Sequence, residues 1–508
     1  MEQLLRKSTV QLTDCALDKQ EECPISGDYT LPEYCPDVAV VLKCFADPRI
    51  QNRQWSGDQL LLDGNAVIRV LYLDEERRRV HSLEFMQPFS CALRGDGRVD
   101  NAAVELELST KYLNCRALSP RRVEVRGAVA VHAYAEYTES KCLVADAEDS
   151  DLFTRTKTVS ITVPNGSCDK VVSISESLEF GESLPPAEML LGGECKAVLC
   201  ECKLLAGKAI LKGQVYIHQL YIDNTEGEHT HCLDYTLPFS QIMDVDSARE
   251  GMPYKMSVQI LSDTERCSVG PDGENTVLDV TVKLLIQIQV YSQQEMVLLK
   301  DAYHSRFPVL AQTEDIRLCS LIGTRWESTV LPMQLAVPSG RWSEIIDISV
   351  QPQLPLTECR DGRADAKGRM LVCVIARDMD GEVVYDEFVE EYGLEYLCSG
   401  NTAQVSLKAT DVQCRIVEDK LELSVQFSVC INEYDYCKEE LITDLRLQQE
   451  TPYPQQKVTA LLYYAEGGES VWDIGRMCHT SPQRIMEENE MDGEYIKENT
   501  VIVVPIHN

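Results

Sequence analysis

The chain has 508 residues, and its 82 acidic and 48 basic side chains give a formal net charge of −34. Such a charge repels phosphate backbones and anionic lipid surfaces, which excludes nucleic acid and direct membrane insertion from the expected interactions. Residues 1–20 carry six charges and no uninterrupted apolar stretch, so they predict neither a secretion signal nor a membrane anchor. We therefore expect a cytoplasmic protein of three or four domains.

Three segments of the chain share one pattern, in which a glycine opens a run of apolar residues that ends in an aspartate. These segments are GNAVIRVLYLD at 64–74, GQVYIHQLYID at 213–223 and GRMLVCVIARD at 368–378. Runs of this kind, rich in β-branched residues, are typical of buried strands. The pattern predicts a strand that begins at the glycine, a turn capped by the aspartate, and a hairpin partner after the turn.

A second pair of alternating segments follows each of these hairpins. They lie at 104–112 and 122–137, at 255–261 and 276–291, and at 404–409 and 420–434. Alternating strands joined by tight turns predict a mainly β fold of three antiparallel β-sandwich or barrel-like repeats. The expected boundaries are an N-terminal lead-in at 1–24, repeats at 25–150, 168–300 and 315–440, a linker at 441–458 and a small domain at 459–508.

The small domain has a different pattern, which predicts a β-α-α-β order. Leu461–Tyr464 is typical of a strand, and Ser470 is positioned to cap a first helix. Ser481 caps a second helix whose first turn contains Pro482, where a missing N–H costs nothing. The segment 500–506 then closes the domain as a strand.

This domain resembles the LysM family of small carbohydrate-binding domains in Tyr464, the segment 468–474, Ile485, Asn489 and the closing segment 503–506. The resemblance implies a binding site in two loops, which are Gly467, Gly468, Glu469 and Ser470, and Glu490, Met491, Asp492 and Gly493. The chain departs from the family pattern at Glu469, where Asp is usual, and at 498–500, where a Pro-Gly-Gln turn is usual. Between Ala460 and Asn508 there are nine acidic and three basic residues. Such a surface can hold neutral sugars and suits a basic protein surface at least as well.

Three large side chains of this domain are candidates for contact with a partner or a glycan. Trp472 lies in the first turn of a helix, where it could stack on a sugar or a partner side chain, although the same position also fits a core residue. Met491 and Tyr495 lie in a polar loop that offers them little local packing. We expect these two side chains to form an exposed apolar contact surface.

The repeats resemble the SPOCS (spore coat and cortex) domain of endospore-forming Firmicutes, through the segment Leu31–Asp37 together with Pro48–Ile50. Three SPOCS-like copies followed by a LysM domain are similar to the layout of clostridial coat-morphogenesis proteins. That resemblance implies a mother-cell protein at the forespore surface. Its LysM domain would dock on the coat basal-layer ATPase, a relative of stage IV sporulation protein A, and other coat proteins are further expected partners.

No local signature of a catalytic or metal site is present. The chain lacks the GxxxxGK[ST], HExxH and GxSxG patterns, so no enzyme activity and no cofactor is expected. The 21 cysteines form no CxxC pair and predict small buried hydrophobic residues instead of metal ligands. His229 and His231 would share one face of a strand, a spacing that fits a solvated hairpin edge better than a metal site.

Three classes of function remain open at this stage. The first is a non-enzymatic scaffold of coat assembly, which the layout favours. The second is a protein that binds peptidoglycan or another N-acetylglucosamine glycan of the cortex or wall, which would need a route out of the cytosol. The third is a hydrolase with a carbohydrate-binding tail, and the sequence offers no recognisable pair of catalytic carboxylates for it.

Overall fold

A computed structural model describes residues 5–76, 79–95, 104–147, 149–225, 229–271, 273–337, 342–418, 420–454 and 458–506. Residues 1–4 of the expected lead-in, 455–457 of the expected linker and 507–508 of the small domain lie outside the described residues. Three successive units of strands precede a small domain that contains both helices of the described chain. The prediction of a mainly β fold is confirmed.

The first two units have six strands each, and the third has a seventh, short strand. The first unit consists of β1 (Leu5–Thr30), β2 (Val40–Ser56), β3 (Gln59–Leu73), β4 (Val80–Arg94), β5 (Val104–Ser119) and β6 (Arg122–Ala147). The second consists of β7 (Leu152–Glu179), β8 (Ala187–Leu205), β9 (Lys208–Asp223), β10 (Thr230–Asp244), β11 (Tyr254–Ser268) and β12 (Val277–His304). The third consists of β13 (Val309–Ala336), β14 (Trp342–Pro352), β15 (Leu356–Arg360), β16 (Arg363–Asp378), β17 (Val383–Leu397), β18 (Thr402–Val417) and β19 (Lys420–Leu447).

Each unit is a sandwich of two antiparallel sheets with the same strand order. In the first unit the sheets are β1-β6-β5 and β2-β3-β4, and the second unit repeats them as β7-β12-β11 and β8-β9-β10. The third unit has β13-β19-β18 and β14-β16-β17, with the short β15 also paired to β16. Alternate residues of the two sheets meet in a core, for example Ile68 and Val70 of β3 with Val129 and Val131 of β6. The predicted sandwich is therefore present in all three units.

The repeated glycine lies inside a strand, not at its start as the pattern predicted. Gly64, Gly213 and Gly368 stand directly opposite Phe89, Phe239 and Tyr392 on the neighbouring strand. A Cβ atom on Gly213 would lie 2.3 Å from the ring of Phe239 and 2.4 Å from the carbonyl oxygen of Val198. The glycine is required because the aromatic ring covers the strand at this position. The aspartate does cap its turn, since Asp378 accepts hydrogen bonds from the N–H groups of Asp380 and Glu382.

The first strand of each unit corrects the expected boundaries. Residues 5–24, expected as a lead-in, belong to β1, which pairs with β6 along nearly its whole length. In the second unit β7 begins at Leu152, ahead of the expected start of the repeat at residue 168. The third unit extends from Val309 to Leu447, beyond the expected 315–440 at both ends. These strands carry many charges, so the sequence pattern did not mark them.

The three units meet in shared apolar clusters and buried ion pairs. One cluster contains Leu143 of the first unit, Leu298 of the second and Leu441 of the third. A second cluster joins the other sheets of all three units. Between the units Lys255 Nζ lies 2.7 Å from Glu136 Oε1. The three units therefore pack against one another through both apolar and charged contacts.

The small domain has β20 (Ala460–Ala465), α1 (Val471–Cys478), α2 (Pro482–Glu488) and β21 (Thr500–Pro505). The two strands pair antiparallel. The predicted β-α-α-β order is confirmed.

Candidate functional site

The small domain folds around an apolar core of its own. Ser470 and Ser481 begin the two helices, and their hydroxyl oxygens accept hydrogen bonds from the N–H groups of Trp472 at 3.2 Å and Arg484 at 3.3 Å. These bonds satisfy N–H groups that have no partner within the helix. The buried residues of the core are Ala465, Val471, Ile474, Ile485, Ile496, Ile502 and Val504. Both helix starts are those that the sequence predicted.

The first candidate loop is held by hydrogen bonds to the chain before β21. The N–H of Gly467 donates to Asn499 Oδ1 at 2.8 Å, and the N–H of Gly468 donates to the carbonyl of Ile496 at 2.8 Å. Gly468 has a φ of 96°, which only glycine adopts without strain. The carboxylate of Glu469 accepts from the Glu466 N–H at 2.8 Å and from the Tyr463 hydroxyl at 3.1 Å. Glu469 thus stabilises the loop although Asp is usual at this position.

The second candidate loop lines an open groove of about 270 Å³. Five of the ten candidate residues meet here, namely Glu490, Met491, Asp492, Gly493 and Tyr495. Tyr495 is 56 % exposed, whereas Met491 is half-buried and packs partly against the domain core. Lys497 and Glu498 also line the groove. Three carboxylates and one ammonium group therefore surround two large apolar side chains, which makes the groove acidic.

The other five candidate residues do not line this groove. Gly467, Gly468, Glu469 and Ser470 form the first loop, and Ser470 is buried at the start of α1. Trp472 is 8 % exposed, yet it is not part of the small domain's core. Its indole N–H donates to Asp301 Oδ2 at 2.8 Å. Trp472 therefore packs against the second unit, an environment that neither sequence interpretation included.

Two further residues of the second unit, Tyr303 and Arg155, complete this contact with the small domain. Tyr303 donates its hydroxyl hydrogen to the carbonyl of Thr480 at 2.8 Å, and its ring meets that of Trp472 edge to face with centroids 4.9 Å apart. Arg155 lies 3.7 Å from Glu494, and a hydrogen bond with Tyr495 raises the pKa of this guanidinium. Burial raises the pKa of the Tyr303 hydroxyl well above its usual value, so the group stays protonated and donates.

Sequence reasoning missed Arg155, Asp301 and Tyr303 as members of this site. They lie about 170 residues before α1 or further, on β7 and β12 of another unit. No local motif marks them. The available signal was the alternation along β12, which places Asp301 and Tyr303 on the same side of the strand.

Groups of possible metal ligands are paired with basic side chains. Among the described residues, His218–Cys232–Asp347, Asp149–Asp151–His304 and Cys195–Asp263–Glu265 bring ligand atoms within 4.8 Å of one another. Each group has a cation beside one of its carboxylates: Lys43 at Asp347, Arg306 at Asp151 and Arg49 at Asp263. These cations compete with a metal ion for the same oxygens. The groups therefore act as ion pairs in this structure.

The candidate pair His229 and His231 belongs to a hairpin edge. His231 Nε2 lies 2.9 Å from Asp223 Oδ2, while the backbone N–H of His229 donates to the same carboxylate. The 21 cysteines are all free thiols, of which Cys23, Cys91, Cys373 and Cys398 are buried. Cys142, Cys200 and Cys437 are exposed and the others are half-buried. The prediction of buried thiols therefore holds for only some of them, since alternation along a strand also turns cysteines outward.

The fold and the site define a class: a protein of three β-sandwich units that carries a C-terminal β-α-α-β domain with an acidic groove. Comparison with known families is more specific. A family model described as "SipL, SPOCS domain" matches residues 37–118 and 186–265, and the LysM domain model matches residues 466–505. The chain thus contains two segments that match the SPOCS domain and a C-terminal LysM domain, as the sequence resemblance implied. No curated protein and no solved structure matches the chain.

The matched segments correspond to the same four strands of the first two units. Residues 37–118 contain β2–β4 and nearly all of β5, and residues 186–265 contain β8–β10 and most of β11. The third unit repeats their strand order. SPOCS and LysM domains are non-catalytic families and place the protein in a sporulation context with a domain of the glycan-binding class. Within the described residues, the helices fall short of the length and apolar character needed to cross a membrane.

Proposed function

We propose that this protein is a non-enzymatic adaptor of endospore coat assembly in the mother cell. In this proposal its LysM domain docks on the coat basal-layer ATPase at the forespore surface, a protein like stage IV sporulation protein A. The observation that carries the proposal is the combination of SPOCS units with a LysM domain whose open groove is acidic. Other coat proteins are proposed to bind the SPOCS units.

The charge of the groove favours a protein partner. Glu490, Asp492 and Glu498 outnumber Lys497 along its walls, and the whole chain carries a net charge of −34. Complementary potentials speed encounter and select against partners of the same sign. A basic surface on the ATPase would satisfy these carboxylates, whereas an uncharged sugar would leave them with water.

Met491 and Tyr495 of the groove are suited to bury apolar surface against a partner protein. Tyrosine is enriched among residues that dominate binding energy, because it buries a large rigid ring and keeps one polar group. Tyr495 is 56 % exposed, and Met491 offers a flexible side chain beside it that adapts to irregular surfaces. We propose that these two side chains form the centre of the docking surface.

The test is the double substitution Met491→Ala and Tyr495→Ala in the full-length protein. We expect the affinity for the ATPase to fall by about tenfold or more, since removal of an interface tyrosine commonly costs about 2 kcal/mol. Pull-down titration measures the affinity, and circular dichroism checks the fold. Tyr34→Ala is the matched control, because Tyr34 is 87 % exposed in the first unit. Unchanged affinity with an unchanged spectrum would reject this surface.

A second candidate function is binding of peptidoglycan or another N-acetylglucosamine glycan of the cortex or cell wall. The match of residues 466–505 to the LysM domain favours it, together with the exposed backbone of Gly467 and Gly468 in the first loop. Co-sedimentation with purified peptidoglycan tests it. Binding that Gly468→Val abolishes and that the double substitution leaves intact would support the glycan function over the adaptor function.

A further inference from the structure

One face of the LysM domain is covered by the second SPOCS unit. We call it the α1 face, defined by Trp472, Gly475 and Arg476 of the helix and by Thr480 after it. Asp301 accepts the indole N–H of Trp472 at 2.8 Å and also pairs with Arg476. Tyr303 lies so close to the helix that a Cβ atom on Gly475 would stand 2.4 Å from its hydroxyl oxygen. The α1 face is therefore fitted to the end of β12.

Two side chains at the end of β12, Asp301 and Tyr303, contact the α1 face as the groups of a bound ligand would. Asp301 and Tyr303 are two residues apart on one strand, so their side chains project to the same side. The carboxylate takes two donors of the α1 face, and the phenol gives its hydrogen to the Thr480 carbonyl. Tyr303 is 5 % exposed and Trp472 is 8 % exposed. Tryptophan, arginine and tyrosine are also the residues that most often dominate protein interfaces.

The segment that leads to the LysM domain reinforces this arrangement. The N–H of Tyr453 donates to the carbonyl of Arg306 at 2.8 Å, just after β12. The Tyr453 ring stacks on His479 with ring centroids 3.6 Å apart. The connecting segment and the LysM domain thus contact the same end of the second unit. Separation would break these hydrogen bonds and expose the rings of Trp472 and Tyr303, while the LysM domain keeps an apolar core of its own.

We infer that Asp301 and Tyr303 act as a built-in ligand that keeps the α1 face closed, and that the docking partner competes with them for this face. The inference rests on the proposed function, because it concerns regulation of the same domain. A competing partner supplies a carboxylate and an aromatic ring to the α1 face, while its basic groups meet the acidic groove. Binding then requires opening, and a closed-to-open ratio of about 10 lowers the apparent affinity by about tenfold.

The experiment compares the full-length protein with its Asp301→Asn, Tyr303→Phe double variant. Oxidative footprinting with mass spectrometry reports the accessibility of Trp472, and titration with the purified coat ATPase reports affinity. We expect labelling of Trp472 to rise several-fold and the Kd for the ATPase to fall by about tenfold. Asp244→Asn is the matched control, since Asp244 ends a strand of the same unit and is exposed. Tyr303→Phe alone, which keeps the ring, gives a smaller shift in the same direction.

The outcomes separate this inference from the proposed function. Raised labelling with an unchanged or weaker affinity for the ATPase would overturn the competition and leave the adaptor function standing. Labelling of Trp472 that is already complete in the unsubstituted protein would overturn the closed form itself. Failure of both proteins to bind the ATPase would overturn the proposed function, and the inference with it.

Discussion

At the scale of single residues, a glycine opposite an aromatic ring recurs in all three units. The pairs are Gly64 with Phe89, Gly213 with Phe239 and Gly368 with Tyr392. The ring lies over the glycine and fills the space that a side chain would occupy. Such pairs compensate for the missing packing of a glycine within a strand. They also fix the register of the hairpin, because a shift by one residue would place the ring over a side chain.

Substitution of one such glycine tests this role. Gly213→Ala would place a methyl group against the Phe239 ring and the Val198 carbonyl, and overpacking of this kind costs about 1–3 kcal/mol. We expect a lower denaturation midpoint for the second unit, measured by chemical denaturation. Gly393→Ala is the control, since its nearest heavy atom is Lys367 Cγ at 3.8 Å. Equal midpoints for the two variants would show that the packing of the Phe239 ring does not require a glycine at position 213.

At the scale of elements, the helix start at Ser481 gives a second prediction. The hydroxyl of Ser481 accepts the Arg484 N–H, and removal of such a cap costs about 1 kcal/mol. Ser481→Ala should therefore destabilise the start of α2. The expected result is faster hydrogen exchange of the Ile485 amide. Glu487→Ala on the exposed side of α2 should leave it nearly unchanged. A cap without a structural role would give the same exchange rate in both variants.

The elements that sequence patterns predicted are those with local signals. The three hairpins follow from alternating apolar runs, and the LysM helices follow from Ser470, Ser481 and Pro482. The long first strands were missed because β1 alternates weakly and carries many charges, so its partner β6 determines its conformation. The contact of Trp472 with Asp301 was also missed, since it joins residues 171 positions apart. Tertiary contacts of this kind leave no local periodicity in the sequence.

At the scale of the whole molecule, buried charges join the three units. Lys255 of the second unit lies 2.7 Å from Glu136 of the first and 5.0 Å from the ring centre of Tyr434 in the third. Burial alone would raise the pKa of Glu136, but Lys255 and two tyrosine hydroxyls hold it below its usual value. Burial likewise opposes the charge of Lys255, and the nearby carboxylates outweigh this and raise its pKa. Both groups therefore stay charged at this joint, by which we mean the buried contact of Lys255 with Glu136 and Tyr434 where the three units meet.

Removal of one partner should loosen this joint. Lys255→Met leaves the Glu136 carboxylate buried without its cation, a change that commonly costs about 3–5 kcal/mol. We expect a clear loss of thermal stability, measured by scanning calorimetry, and partial recovery when Glu136→Gln is added. Lys283→Met on the exposed side of β12 serves as the control. A loss equal to that of the control would mean that the ion pair contributes nothing to the joint.

A second joint predicts a dependence on pH. Burial lowers the pKa of His218, and hydrogen bonds to Asp234 and Asp347 outweigh it and raise this pKa to about 10. Lys43, Glu194 and Lys196 are further charged groups where these units meet. The stabilisation is complete below the unfolded pKa of about 6.5 and is lost as the pH rises through about 10. The difference in melting temperature between the unsubstituted protein and His218→Gln should therefore shrink between pH 6.5 and pH 10. A constant difference over this range would contradict the assignment of the charge to His218.

The most direct test of the adaptor function is a titration of the full-length protein against the purified coat ATPase and, in parallel, against purified peptidoglycan. We expect saturable binding to the ATPase that weakens as salt is added, because charge complementarity at the acidic groove is screened. We also expect no saturable binding to peptidoglycan. Binding to peptidoglycan alone would contradict the adaptor function and make the protein a wall- or cortex-binding protein.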